Sequence, residues 1–233
     1  MTETLTHTIA DHDQWLAART ALLAREKEFT KLRDELSQAR RDLPWELVEK
    51  EYLFDGPRGR QSLADLFDGR SQLIVYHFMY PADWDDGCRS CSFWADNFDP
   101  IIVHLNARDV TMVAVSISPP EKLAAYQRRM GWTFHWVSSH GSDFNQDLGV
   151  SFTPGEEGFY NYRHQTLGIG EREGMSVFLK DDQGRIFHTY SAYARGIDIF
   201  NTAYNYLDTV PRGRDEADGN QQWVRRHDEY QKS

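Results

Sequence analysis

Large apolar side chains recur every seven residues near the start of the chain, at Trp15, Leu22, Phe29, Leu36 and Leu43, with Ala18 and Leu32 between them. Charged residues such as Arg25, Glu26, Lys27, Glu28, Arg33, Asp34 and Glu35 fill the remaining positions, so the spacing predicts one long helix over 13–43. Asp11 or Asp13 is placed to cap its start, and Pro44 ends it. The seam suits a helix packed on its own domain, where each large side chain would gain roughly 1.5–3 kcal/mol. It equally suits a helix packed on a second subunit, as in a homodimer. Beyond Pro44 the pattern changes. Residues 47–54 alternate weakly as a strand, Gly56, Pro57 and Gly59 form a turn, and 62–67 form a short helical turn. Leu73 to Met79 and Val110 to Ser118 are nearly continuous apolar runs, as in strands covered on both faces.

The pattern then predicts a helix over 120–130, opened by Pro119 and Pro120 and closed by Gly131, with Leu123, Tyr126 and Met130 on one face. Residues 134–138 read as a third strand. Residues 175–180 and 185–190 flank Asp181-Asp182-Gln183-Gly184, a hairpin signal. A last helix spans 197–207. Alternating strands and helices closed by a hairpin and a helix predict a three-layer α/β sandwich. The organisation is then a helical extension over 1–46, a main domain over 47–210 carrying a glycine- and aromatic-rich loop over 141–174, and a polar, only partly folded tail over 211–233 that holds Trp223.

Composition narrows the function. The chain has 233 residues, 40% of them hydrophobic, enough to close a core. A net charge of −10 argues against non-specific nucleic-acid binding. No apolar run approaches the ~20 residues of a membrane helix. Met1 to Asp13 lack a basic start followed by an apolar block. The expectation is a cytoplasmic protein without nucleic-acid or membrane partners.

Cys88 and Cys91 are the chain's two cysteines, three positions apart. A four-cysteine zinc site and a disulfide-stapled secreted fold are thereby excluded. The pair follows an apolar strand and opens a helix, where free N–H groups and the macrodipole stabilise a thiolate. Cys88 would be the exposed, activated thiol and Cys91, a turn further in, the resolving one. Arg89 should lower the Cys88 pKa; Asp85 and Asp86 should oppose it. No histidine stands immediately after Cys91, so c-type haem attachment is excluded. Trp84 and Trp94 flank the pair.

The run from Arg60 to Met79 resembles the opening of peroxiredoxin-like and thioredoxin-like domains. Nearly the whole chain is similar to the bacterial DUF899 family of predicted dithiol-disulfide oxidoreductases. The matching stretches include 26–36, Leu43-Pro-Trp45, Gly87-Cys-Arg-Ser-Cys-Ser-Phe-Trp-Ala-Asp-Asn-Phe98, Arg129-Met-Gly-Trp132, Trp136-Val-Ser-Ser139, Ser142-Asp-Phe-Asn145 and His188-Thr-Tyr-Ser-Ala-Tyr-Ala-Arg-Gly196. The resemblance implies a thioredoxin-like three-layer sandwich of the peroxiredoxin-like variety, with an added N-terminal helix. It implies Cys88 as the attacking thiol, Cys91 as the resolving thiol, no cofactor, and a disulfide-containing protein or small thiol as substrate.

Two departures stand out. No proline lies between Gly155 and Val210 to supply the cis-proline of thioredoxins. Asp85 stands where peroxiredoxins carry threonine. His77 falls near the buried acid of thioredoxins and could move a proton to the inner thiol with a pKa near neutrality; alternatively it is a core histidine. Two other functions stay open. The dithiol could hold a soft metal such as copper together with His164 or His188. It could also act as a redox sensor that changes the 141–174 loop or the packing of a dimer.

Overall fold

The computed structural model describes residues 7–168, 170–217 and 219–230. Met1 to Thr6, Ile169 in the expected loop, and Asp218 and residues 231–233 in the expected tail lie outside the described residues. The chain forms two compact units, Met1–Pro44 and Trp45–Ser233.

The first unit is a single helix, α1 (His12–Arg41). Asp11 caps it: its carboxylate accepts from the Gln14 N–H at 2.8 Å, and the Gln14 side chain returns a bond to the Asp11 N–H. Arg40 and Arg41 sit in the last turn, where cations suit the helix dipole. The helix buries none of its residues, and the heptad seam is exposed, Phe29 at 67% and Trp15 at 55%.

The second unit is built on one eight-stranded sheet. Its strands are β1 (Glu46–Leu47), β2 (Leu53–Gly56), β3 (Gly59–Ser62), β4 (Gln72–His77), β5 (Val110–Ser116), β6 (His135–Ser138), and, after a separate hairpin of β7 (Glu157–Tyr160) and β8 (Arg163–Thr166), β9 (Gly174–Lys180) and β10 (Ile186–Tyr193). The order is β1-β10-β9-β4-β5-β6-β2-β3. β4, β5 and β6 are parallel and the other pairs antiparallel. A central strand with a parallel neighbour on one side and an antiparallel hairpin on the other is the thioredoxin-like arrangement.

The helices are α2 (Arg89–Ala95), α3 (Phe98–Asn106), α4 (Pro120–Met130), α5 (Phe144–Asp147) and α6 (Thr202–Leu207). Alternation along β4 divides the interior. Tyr76 faces a core shared with Cys91, Trp94, Phe98, Leu123, Tyr126 and Tyr204 from the helices. Leu73 and Val75 face the other core, under Phe54, Phe67 and Phe144. That second layer is thin: a 3-10 turn at Asp65–Phe67 and the Phe144 ring cover it.

The expected helix over 197–207 is two pieces. A 3-10 segment, Ala194–Phe200, precedes α6, and the Asn201 side chain caps α6 by accepting from the Tyr204 N–H at 3.1 Å. The tail is more ordered than its polarity suggests. Val224 is fully buried, and the Trp223 ring packs edge-on to Phe93 at 5.4 Å. Among the described residues no helix is long and apolar enough to cross a membrane.

Candidate active site

β4 delivers the chain through Phe78 and Met79 to the loop before α2. Cys88 is the N-cap residue of α2, and its N–H donates to the Met79 carbonyl at 3.1 Å. Its sulfur accepts from the Cys91 N–H at 3.5 Å. Both thiols are free; Cys88 is half-buried and Cys91 buried. The preceding Gly87 permits the close approach. A Cβ there would stand 2.8 Å from the Phe78 ring and 2.9 Å from the Tyr126 ring.

A hydrogen-bonded chain fixes the same turn from behind. Arg226 donates to the Gly87 carbonyl and to the Tyr126 hydroxyl, each at 2.8 Å. The Tyr126 hydroxyl meets the Ser92 hydroxyl at 2.9 Å, and Ser92 donates to the Cys88 carbonyl at 2.8 Å. Asp86 is tied to Arg129 at 2.7 Å.

The two thiols are held in opposite states. A hydrogen bond from Cys91 brings the Cys88 thiol down from its usual 9 to about 7; burial opposes this, and the Cys91 and Ser90 N–H groups reinforce it. Burial drives the Cys91 thiol well up, and its bond to Cys88 adds to the effect. Cys91 therefore keeps its proton and donates it toward the Cys88 thiolate. The thiols line a cavity of about 390 Å³ together with Tyr76, Trp94, Arg172 and Glu173. Asn220 and Gln221 of the tail also line it. The Tyr76 hydroxyl is buried without a hydrogen-bond partner of good geometry, although the Cys91 thiol is among the groups acting on it.

Two of the expected site residues lie elsewhere. His77 shares the face of Leu73 and Val75, across the sheet from the dithiol. Its Nε2 meets the Ser176 hydroxyl at 2.8 Å, and its ring lies 5.8 Å from Phe144. Burial lowers its pKa from 6.5 to about 3, and the nearby His188 acts in the same direction. Arg89 heads α2 but is exposed, outside the cavity lining. The principal influences on Cys88 are its neighbouring N–H and S–H donors, with burial and the Glu173 carboxylate opposing them. His164 pairs with Glu157 on the β7–β8 hairpin, and His188 bonds Ser191, so neither joins the cysteines. Among the described residues no group of three or more His, Cys, Asp or Glu could hold a metal.

A family model described as "Bacterial protein of unknown function (DUF899)" matches residues 4–230. The chain belongs to the DUF899 family. No curated protein matches it. Solved structures similar to this DUF899 chain include a peroxidoxin BcpB from Mycobacterium tuberculosis, at 12% identity and a TM-score of 0.46, covering 68% of this chain and 93% of that one. Peroxiredoxin Q from Xanthomonas campestris is similar at 14% identity and a TM-score of 0.40, covering 71% and 90%. The mitochondrial 2-cys peroxiredoxin from Plasmodium falciparum is similar at 11% and 0.40, covering 70% and 92%.

The DUF899 site also contains residues that sequence reasoning did not single out: Tyr76, Arg172, Glu173 and Arg226. Tyr76 neighbours His77 on a strand apolar on both faces, so parity along the sequence could not choose between them. Arg172 and Glu173 lie just before β9, where the signal sought was a proline.

Proposed function

We propose that this DUF899 protein is a thiol-disulfide oxidoreductase working through Cys88 and Cys91. The Cys88 thiolate attacks one sulfur of a substrate disulfide. That S–S bond breaks, the first substrate thiol leaves as a thiolate and takes a proton from solvent, and a mixed disulfide remains on Cys88. Cys91 then gives up its proton to water and attacks the Cys88 sulfur, and the second substrate thiol departs. Two electrons pass from the dithiol to the substrate, and an external dithiol resets the enzyme.

The observation that carries this reading is the division of states within one dithiol. Cys88 faces the cavity with its pKa brought to about 7, and Cys91 sits a turn deeper with its proton retained. The test is reaction of the reduced full-length protein with a small disulfide. Mass spectrometry should then show one peptide, spanning both cysteines, lighter by two hydrogens. The Cys91→Ser variant should instead accumulate a mixed disulfide on Cys88. Inert thiols, or disulfides formed only between molecules, refute the proposal.

A further inference from the structure

Most charged groups around the dithiol already have partners. Asp198 is paired with Arg214 at 2.9 Å and Arg195 at 3.3 Å, and Asp86 with Arg129. Arg172 and Glu173 differ. Both are half-buried and line the cavity that holds Cys88 and Cys91. Among the described residues neither forms an ion pair. The Arg172 guanidinium donates only to the Glu171 carbonyl, at 3.1 Å, and the hydrogen-bonding neighbour of the Glu173 carboxylate is a neutral group, the Tyr160 hydroxyl, which also donates to the Glu173 carbonyl at 3.0 Å. The Tyr76 hydroxyl, on a side chain 2% exposed, adds an unmet donor to the same cavity.

A buried hydroxyl without a partner costs about 1–3 kcal/mol, and unpaired charges on a cavity wall add to the cost. Such groups are retained where a ligand completes them. The cavity volume, about 390 Å³, falls within the range of small-molecule sites, roughly 300–1,000 Å³. Cys91 is buried in its wall and Cys88 is itself half-buried, so a compact disulfide reaches Cys88 more readily than a strand of folded protein.

We propose that this cavity selects a low-molecular-weight disulfide bearing an α-ammonium and a carboxylate group, of the cystine class. Arg172 holds the carboxylate, Glu173 holds the ammonium group, and the Tyr76 hydroxyl supplies one further donor. Two adjacent residues of opposite charge match the two charges on one α-carbon. The inference rests on the exchange reading above and adds the substrate class to it. The redox balance is unchanged: one cystine and the reduced dithiol give two cysteines and the Cys88–Cys91 disulfide.

The test uses the reduced full-length protein and measures thiol consumption with four probes: L-cystine, cystamine, dithiodipropionate and hydroxyethyl disulfide. Each rate is divided by that of the same disulfide with free mercaptoethanol, which removes intrinsic reactivity. Cystine should exceed hydroxyethyl disulfide by about tenfold or more, the order expected of charge-assisted hydrogen bonds. Cystamine, without the carboxylate, and dithiodipropionate, without the ammonium group, should fall between them. Arg172→Gln should erase the advantage of cystine over cystamine, and Glu173→Gln its advantage over dithiodipropionate. An unchanged circular dichroism spectrum and melting transition show that each variant is folded. Equal normalised rates for cystine and hydroxyethyl disulfide, or faster reduction of insulin than of cystine, overturn the substrate class and leave the exchange reaction standing. Failure of every disulfide to oxidise the dithiol overturns both.

Discussion

Replacing Cys91 by alanine tests the origin of the Cys88 thiolate most directly. The bond from Cys91 is the largest influence lowering the Cys88 pKa to about 7. Alanine removes that donor and leaves the backbone N–H groups, so the pKa should climb toward its ordinary 9. In that limit the thiolate fraction at pH 7 falls from about a half to about 1%, roughly a fiftyfold loss. Thiolate reactivity rises with pKa at a Brønsted slope of about 0.4–0.5, which returns roughly six- to tenfold. The net expectation is alkylation about five- to eightfold slower at pH 7, with the midpoint of the pH–rate curve moved upward. Cys91→Ser keeps an O–H donor at the same position and should titrate between the wild type and Cys91→Ala. The assay is iodoacetamide alkylation of each variant from pH 5.5 to 10, read by mass spectrometry. If Cys91→Ala still titrates near 7, the inner thiol is not the donor that activates Cys88. If Cys91 alkylates before Cys88 in the wild type, their roles are reversed.

Other expectations follow from the same geometry. Gly87→Ala puts a methyl group against the Phe78 and Tyr126 rings and should cost about 1–3 kcal/mol in urea unfolding, while slowing Cys88 alkylation; a variant of wild-type stability would show that the loop yields easily. His77→Leu should leave the pH profile of Cys88 alkylation in place, and a displaced midpoint would restore His77 to the proton path. Glu171 is buried against Ser151, and burial lifts its pKa from 4.5 to about 7. A pKa higher in the folded state than in the unfolded one favours the fold fully below pH 4.5, and that contribution is lost as pH rises through 7, about 3 kcal/mol in all. Glu171→Gln should remove that loss, seen as a stability difference between wild type and variant that changes across this window; a constant difference from pH 4 to 8 would refute it.

Long, single-pattern elements were legible in the sequence. α4 matches the expected 120–130 helix, because Pro119, Pro120 and Gly131 mark both ends chemically and Leu123, Tyr126 and Met130 mark the buried face. The β9–β10 hairpin follows Asp181-Asp182-Gln183-Gly184, where Gly184 takes φ 79°. α3 was not anticipated. Two residues separate it from α2, and the break is marked by Asn97 at the cap position and Pro100 in the first turn, signals the reading passed over. The heptad seam of α1 was plain, but a periodicity states what a face looks like and not what covers it. At the candidate site, Cys88 and Cys91 stood out by their spacing together with their place between an apolar strand and a helix start. The adjacent choice between Tyr76 and His77 was not legible, because a strand buried on both faces carries no polar–apolar alternation. Arg89 was judged by its nearness along the chain, whereas its side chain is exposed outside the cavity.

The bond from Arg226 to the Gly87 carbonyl joins positions 139 residues apart. This gives the dithiol a schedule during synthesis. The cysteines emerge from the ribosome well ahead of Arg226, with one of the braces on their turn still untranslated. The backbone before Cys88 acquires its final support only after Arg226 has left the exit tunnel and found Tyr126, a late, long-range contact. A nascent chain that has not yet exposed Arg226 thus carries both thiols without that brace, so the turn that presents Cys88 is completed only after the segment bearing Arg226 has folded back onto it.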